Sequence, residues 1–390
     1  MKKEIFFSFI INIIGLLSLF LIDIYISKNG THKLISSWAQ LKSILFIGVM
    51  FVLLGLDQAI VRLKLKINVI FVYVIIQFFI IAFLIAFVLK YLYPNINFLI
   101  IFFSLFLLAL IYVFFAENRL NMKFIKAQIF LHGWKIILLI LFFVFKIEKF
   151  QLLLPISMAF VILILGYEKI KFIFIGSFFK EYKKALITGL HYFISMIALT
   201  LSLYMDQLLL NYDKRIEESS ILFTYITFFI SPAAILFGFS GFIYGSYIRN
   251  NPHLKTILFK RVIYIYIIIG ILIILGSFIF GKILFELLKN NSPNFYLSIT
   301  MGIIVFLRYL YILPSVYIGS FAKNKLIRHV SAINFIGILL YIAIYFLISR
   351  IFHNYLLAIV LSIIVVWTIR IGNGYYAIYK ILKEDVDESI

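Results

Sequence analysis

Residues 69–89 read VIFVYVIIQFFIIAFLIAFVL, an uncharged run whose most polar side chain is the amide of Gln77. As a helix this run rises about 30 Å, the thickness of a bilayer's hydrocarbon core. Its many aromatic and β-branched residues would also suit a strand. A strand that crosses a membrane, however, belongs to a closed barrel whose segments alternate apolar and polar residues, and this run does not alternate. Backbone N–H and C=O groups in hydrocarbon must be satisfied internally, so a helix is the form that remains.

The same reading extends outward. The chain has 390 residues, 64% of them hydrophobic and 13% charged, with a mean hydropathy of +1.12. Soluble domains are about a quarter charged. Apolar runs predict twelve spans, at 5–26, 43–60, 68–89, 97–115, 129–145, 150–167, 185–209, 220–245, 259–281, 298–318, 331–349 and 354–376. Breakers such as YPN at 93–95 and KNNSPN at 289–294 separate them. The expectation is an all-α polytopic membrane protein. Lys2 and Lys3 precede the first run as they would in a signal peptide, but the run is too long for an h-region and lacks a small-residue cleavage site. It reads as a retained first helix.

A net charge of +20 would suit a nucleic-acid partner in a soluble domain. Here most lysines and arginines fall in segments that are cytoplasmic if both termini are, as the positive-inside rule requires, and no nucleic acid is expected. There is no cysteine, and the six histidines stand singly, so no metal site is expected. No predicted outer loop exceeds roughly 16 residues, which leaves no extramembrane domain for a catalytic cleft. An enzyme is not expected, and no cofactor is implied.

An internal echo organises the spans. FAENRL at 115–120 and FAKNKL at 321–326 both close a fourth span, counted within each half. Asp23 in SLFLID and Asp206 in LSLYMD close the first, and each is followed 32 residues later by a glycine, Gly55 and Gly238. The pattern predicts two parallel six-helix lobes, residues 1–167 and 185–390, joined by a cytoplasmic segment at 168–184. The mixture of aromatics and lysines in that segment fits a helix lying on the membrane surface, and a cytoplasmic extension of the sixth or seventh span is an equally simple reading.

Charge inside a bilayer costs a few kcal/mol and faces a partner or an aqueous cavity. Arg308, in GIIVFLRYLYILP, lies mid-span and is expected to bind an anionic substrate. Lys135, in HGWKIILLI, either joins it or extends to the interface beside Trp134. Asp206 and Asp23 are candidates for H⁺ or Na⁺ coupling, or counter-ions of Arg308; His191 is a further proton candidate. Asp57 is expected to pair locally with Arg62. Pro232, Gly238 and Pro314 are candidate kink and gating positions.

Two segments, LLGLDQAIVR at 53–62 and LYMDQLLLNY at 203–212, resemble those of the Wzx-type O-antigen and capsule repeat-unit flippases. These belong to the multidrug/oligosaccharidyl-lipid/polysaccharide flippase superfamily, whose fold is MATE-like. The resemblance implies a flippase in a bacterial cytoplasmic membrane. It would turn undecaprenyl-pyrophosphate-linked oligosaccharides to the outer leaflet by alternating access, the head passing between the lobes. Polysaccharide polymerase and chain-length proteins would be its partners, and Arg308 and Lys135 would hold the pyrophosphate. A multidrug exporter of the same fold and a membrane polysaccharide polymerase are the rival readings.

Overall fold

In the computed structural model the described residues are 2–145, 149–170, 178–237, 244 and 255–387. Among them every regular element is a helix. Eleven helices are long and apolar enough to cross a membrane, and a twelfth apolar helix, Phe150–Gly166, is shorter. The protein is a multi-pass membrane protein. It divides into two compact units, Met1–Ser219 and Ser220–Ile390.

The first unit contains α1 (Lys2–Asn29), α2 (His32–Leu53), α3 (Leu56–Leu63), α4 (Phe71–Leu92), α5 (Phe98–Leu120), α6 (Phe124–Val144), α7 (Phe150–Ile170) and α8 (Phe179–Tyr212). The second of these spans differs from the expected 43–60. It starts eleven residues earlier, because Thr31 caps it: its Oγ1 accepts from the Leu34 amide at 3.3 Å. Polar residues ahead of the expected start, Ser36 and Gln40, face inward and are buried. The same span stops at Leu54 and Gly55, both in the left-handed region (φ 46° and 75°). Gly55 is required there. A Cβ on it would lie 2.2 Å from the carbonyl oxygen of Gly189 on α8, so the two backbones touch. Of the expected surface helix at 168–184, residues 168–170 end α7 and 179–184 open α8, as extensions of the flanking helices, and 171–177 lie outside the described residues.

α9 (Ile216–Tyr225) runs into a π-helical turn at Ile226–Ile230, just before Pro232. Proline lacks the N–H that would bond to Phe228 four residues back, and a widened turn precedes it. Ser277 donates to the Phe229 carbonyl at 2.7 Å, which satisfies one oxygen of that turn. The rest of the second unit is α10 (Lys255–Lys289), α11 (Phe295–Leu310), α12 (Ile312–Phe321), α13 (Asn324–Phe352) and α14 (Tyr355–Asp387). α11 and α12 form one span, Phe295–Phe321, interrupted at Tyr311. Pro314 sits in the first turn of α12, where a missing N–H costs nothing. Tyr266 and Tyr309 tie α10 to α11. Their rings stack at 4.4 Å, and each hydroxyl donates to the other's carbonyl. Gly270 leaves room for this, since a Cβ there would lie 2.6 Å from the Tyr309 ring.

FAENRL ends α5, and FAKNKL carries the break from α12 to α13. Both therefore lie at the turn between the fourth and fifth spans of their halves.

Candidate functional site

Four cations stand at or within a residue of the middle of their spans. These are Lys42 in His32–Leu53, Lys135 in Phe124–Val144, Arg308 in Phe295–Phe321 and Arg370 in Tyr355–Lys383. They form one group in each unit.

In the first unit, α1 and α2 hold an ion pair. Asp23, 2% exposed, meets Lys42 Nζ at 2.5 Å through Oδ2. Its Oδ1 accepts from Trp38 Nε1 at 2.8 Å. The indole is itself clamped edge-on by Phe142 and Phe150, with ring centroids 5.9 and 5.6 Å away. Trp38 therefore fixes the carboxylate and excludes water from it. Across from this pair, Lys135 Nζ lies 3.1 Å from His132 Nδ1, three residues back on α6. Both are buried. Lys42 and Lys135 are within Coulombic reach of each other, so the group has two lysines and one carboxylate. α1 comes close at Gly15, where a Cβ would lie 2.3 Å from His132 Cβ.

In the second unit, Arg370 is buried at 2% exposed, about 22 Å along α14. It is hydrogen-bonded to Tyr311, and its guanidinium lies 4.7 Å from the Tyr311 ring centroid and 5.5 Å from that of Trp367. The half-buried Arg308 also lies 5.5 Å from the Trp367 ring. One indole thus serves two guanidinium groups. Each cation–π contact is worth about 0.5–2 kcal/mol, less than the roughly 3 kcal/mol a charge costs at mid-membrane. The sequence supplies no carboxylate locally. From Leu287 to Lys383, the stretch that forms α11 to α13 and all but the last four residues of α14, there is no Asp or Glu at all. Such a centre is complementary to an anion.

No protein-family model matches the chain, and no curated protein does. Solved structures do. A multidrug resistance MATE family transporter of the MOP superfamily, in an inward-facing conformation, matches with a TM-score of 0.63 at 13% identity, over 95% of this chain and 96% of that one. The Vibrio cholerae MATE transporter VcmN in its bent form matches at 0.55 and 15%, over 98% and 97%. A MATE in complex with MaL6 matches at 0.59 and 12%, over 98% and 97%. The chain has the MATE fold. At these identities it is the fold that is shared, and the MATE fold accounts for the two sets of six spans expected from the sequence.

Within the MATE fold the sequence-predicted residues fall as follows. Arg308 is at mid-span as expected, and Arg370 joins it. Arg370 follows a long apolar run, where a charge reads as cytoplasmic, but its 2% exposure and ring contacts place it inside the protein. Lys135 does not extend to the interface. α6 begins at Phe124 instead of 129, which puts Lys135 at the helix centre with its Nζ on His132. The HGWK spacing was the available signal, since residues three apart share a helix face. Asp23 pairs with Lys42 and not with Arg308. Asp206 is buried on α8 beside Gln207, and His191 is exposed on the same helix. Asp57 does not pair with Arg62, which is exposed. It accepts from Gln58 Nε2 at 2.8 Å and feels the charge of Arg119 on α5. Burial dominates there and raises its pKa. Pro232 and Pro314 lie at the π turn and the α11–α12 break, and Gly238 lies outside the described residues.

Proposed function

We propose that this protein is a transporter that carries an anionic, lipid-linked oligosaccharide head across the membrane. Specifically, it flips undecaprenyl-pyrophosphate-linked repeat units from the cytoplasmic to the outer leaflet of a bacterial inner membrane by alternating access. The observation that carries this reading is the imbalance of charge at the very middle of the spans: Lys42, Lys135, Arg308 and Arg370 stand within a residue of it, and no Asp or Glu does so in any of the eleven spans. A pyrophosphate offers the oxygens that paired guanidinium groups bind as charge-assisted acceptors, while the polyprenyl tail is already soluble in the bilayer. An exporter of cationic drugs would need the opposite imbalance. Asp23, Asp206 and His191 are the groups through which H⁺ or Na⁺ could be coupled.

The test is made in cells lacking this protein and complemented with variants, by measuring lipid-linked intermediates on each side of the membrane. The expected result is repeat units trapped on the cytoplasmic side, with no surface glycan, for the deletion and for Arg308→Ala and Arg370→Met. Single repeats delivered outside but never joined would mean a polymerase. Normal surface glycan would overturn both readings and favour an exporter.

A further inference from the structure

The first unit contains a cavity of about 140 Å³ where the α1–α2 turn approaches the end of α8. That is about five water molecules' share of liquid volume, room for a single sugar ring. Polar groups reach it from four parts of the unit, between the apolar side chains of Leu92, Pro94, Ile96 and Ile216. Gln40 comes from α2, Asn95 from the α4–α5 turn, Gln151 from α7 and Asn211 from α8. Lys33 and Lys214 stand exposed at its rim, and no carboxylate lines it. On the positive-inside orientation this end of the unit is the outer one.

Two features distinguish this cavity from a gap between helix ends. The first is Gln40. It is only 7% exposed, and among the described residues its side-chain amide makes no hydrogen bond within the protein. The amide is instead open to the cavity, where it pairs with water that a ligand hydroxyl would replace. The second is the wall opposite, whose groups are held in place. Ser36 donates to Asn211 Oδ1 at 2.8 Å, Asn211 Nδ2 donates to Ser219 at 2.9 Å, and Ser219 donates to Gln207 Oε1 at 2.7 Å. This chain engages the Asn211 amide at both its oxygen and its nitrogen and holds that wall in one orientation.

We propose that this cavity is a carbohydrate subsite, which takes one sugar ring of the transported head group. Side-chain amides offer a donor and an acceptor side by side, the pattern that adjacent ring hydroxyls complement. Tyr212, exposed at the edge, offers an aromatic face to the C–H side of a ring. The two rim lysines favour a sugar that is neutral or acidic over one that is cationic. The identity of the cargo rests on the flippase reading above; the subsite does not.

The experiment is saturation-transfer NMR on the full chain in detergent micelles, with glucose, N-acetylglucosamine and glucuronic acid as probes and sorbitol as an open-chain control. At least one ring sugar is expected to show transfer. Gln40→Leu should weaken it roughly tenfold, the loss of about one pair of hydrogen bonds, and Gln40→Asn by less. If Gln40→Leu fails to fold, Gln151→Leu, at a half-buried position, gives the same comparison. Absence of transfer for all three sugars, or unchanged transfer in the leucine variant, would overturn the subsite. Sugar contact in a protein whose deletion leaves surface glycan normal would keep the subsite and sink the flippase.

Discussion

Replacing Asp23 by Asn removes the one carboxylate that faces Lys42, and the structure sets the size of the effect. At an effective dielectric of about 20, unit charges 2.5 Å apart attract by roughly 7 kcal/mol. Burying each ion costs several kcal/mol in lost hydration, so the intact pair contributes little net stability. Breaking it exposes the desolvation cost of the survivor, typically about 3–5 kcal/mol. The two single variants should differ. Lys42→Met leaves a carboxylate still hydrogen-bonded by Trp38 and relieves the repulsion between Lys42 and Lys135. Asp23→Asn leaves those two lysines without the negative charge that offsets their repulsion. Asp23→Asn should therefore be the more destabilising, and the double variant should recover most of the loss, with a coupling of at least about 2 kcal/mol. Unfolding in mixed detergent–SDS micelles, followed by tryptophan fluorescence, measures all four proteins. Additivity within about 0.5 kcal/mol, or a Lys42→Met loss larger than that of Asp23→Asn, would refute the reasoning.

Gly55→Ala should destabilise by more than about 2 kcal/mol, since it combines a left-handed backbone with a Cβ 2.2 Å from the Gly189 carbonyl; a melting point equal to wild type would contradict that contact. Tyr93, at the end of α4, donates to the Leu208 carbonyl at 3.0 Å, and burial together with the nearby Tyr212 pushes its pKa up to about 12. Its folded pKa thus exceeds the unfolded value of about 10. The stability it contributes is complete below pH 10 and lost as pH climbs towards 12, so Tyr93→Phe should flatten that part of the stability–pH curve. Burial likewise raises the Asp57 pKa. Relative to Asp57→Asn, wild type should lose stability as pH rises through the acid range above 3.8, and the variant should melt higher at pH 7. Parallel curves for the two proteins would place Asp57 in water.

The spans were legible because hydrocarbon selects for what a sequence displays openly. α4 reads at a glance, since its side chains mostly face outward. α2 did not, for the opposite reason. It is the most buried of the eleven spans and the least hydropathic, because Gln40, Lys42 and Ser43 find their surroundings within the protein. A helix enclosed by other helices need not resemble lipid. The candidate site was legible in half of its members. Arg308 and Lys135 interrupt apolar runs, whereas Lys42 sits in a polar stretch and Arg370 near the end of a run, where a charge looks interfacial. Only the ring contacts of Trp367 and Tyr311 reveal what Arg370 does. The opening of the Gln40 amide onto a cavity could not have been inferred from sequence, since it depends on residues brought together from four parts of the chain.

The run from Leu287 to Lys383, without a single carboxylate, has an electrical consequence. Two guanidinium charges fixed near the middle of their spans sit within the field of the transmembrane potential. Displacing one elementary charge through 100 mV is worth about 2.3 kcal/mol. Any rocking of α11 and α14 along the membrane normal is thereby driven or opposed by voltage, and a bound dianion would cancel that coupling. The empty protein would respond to the membrane potential, and the loaded one would be nearly indifferent to it.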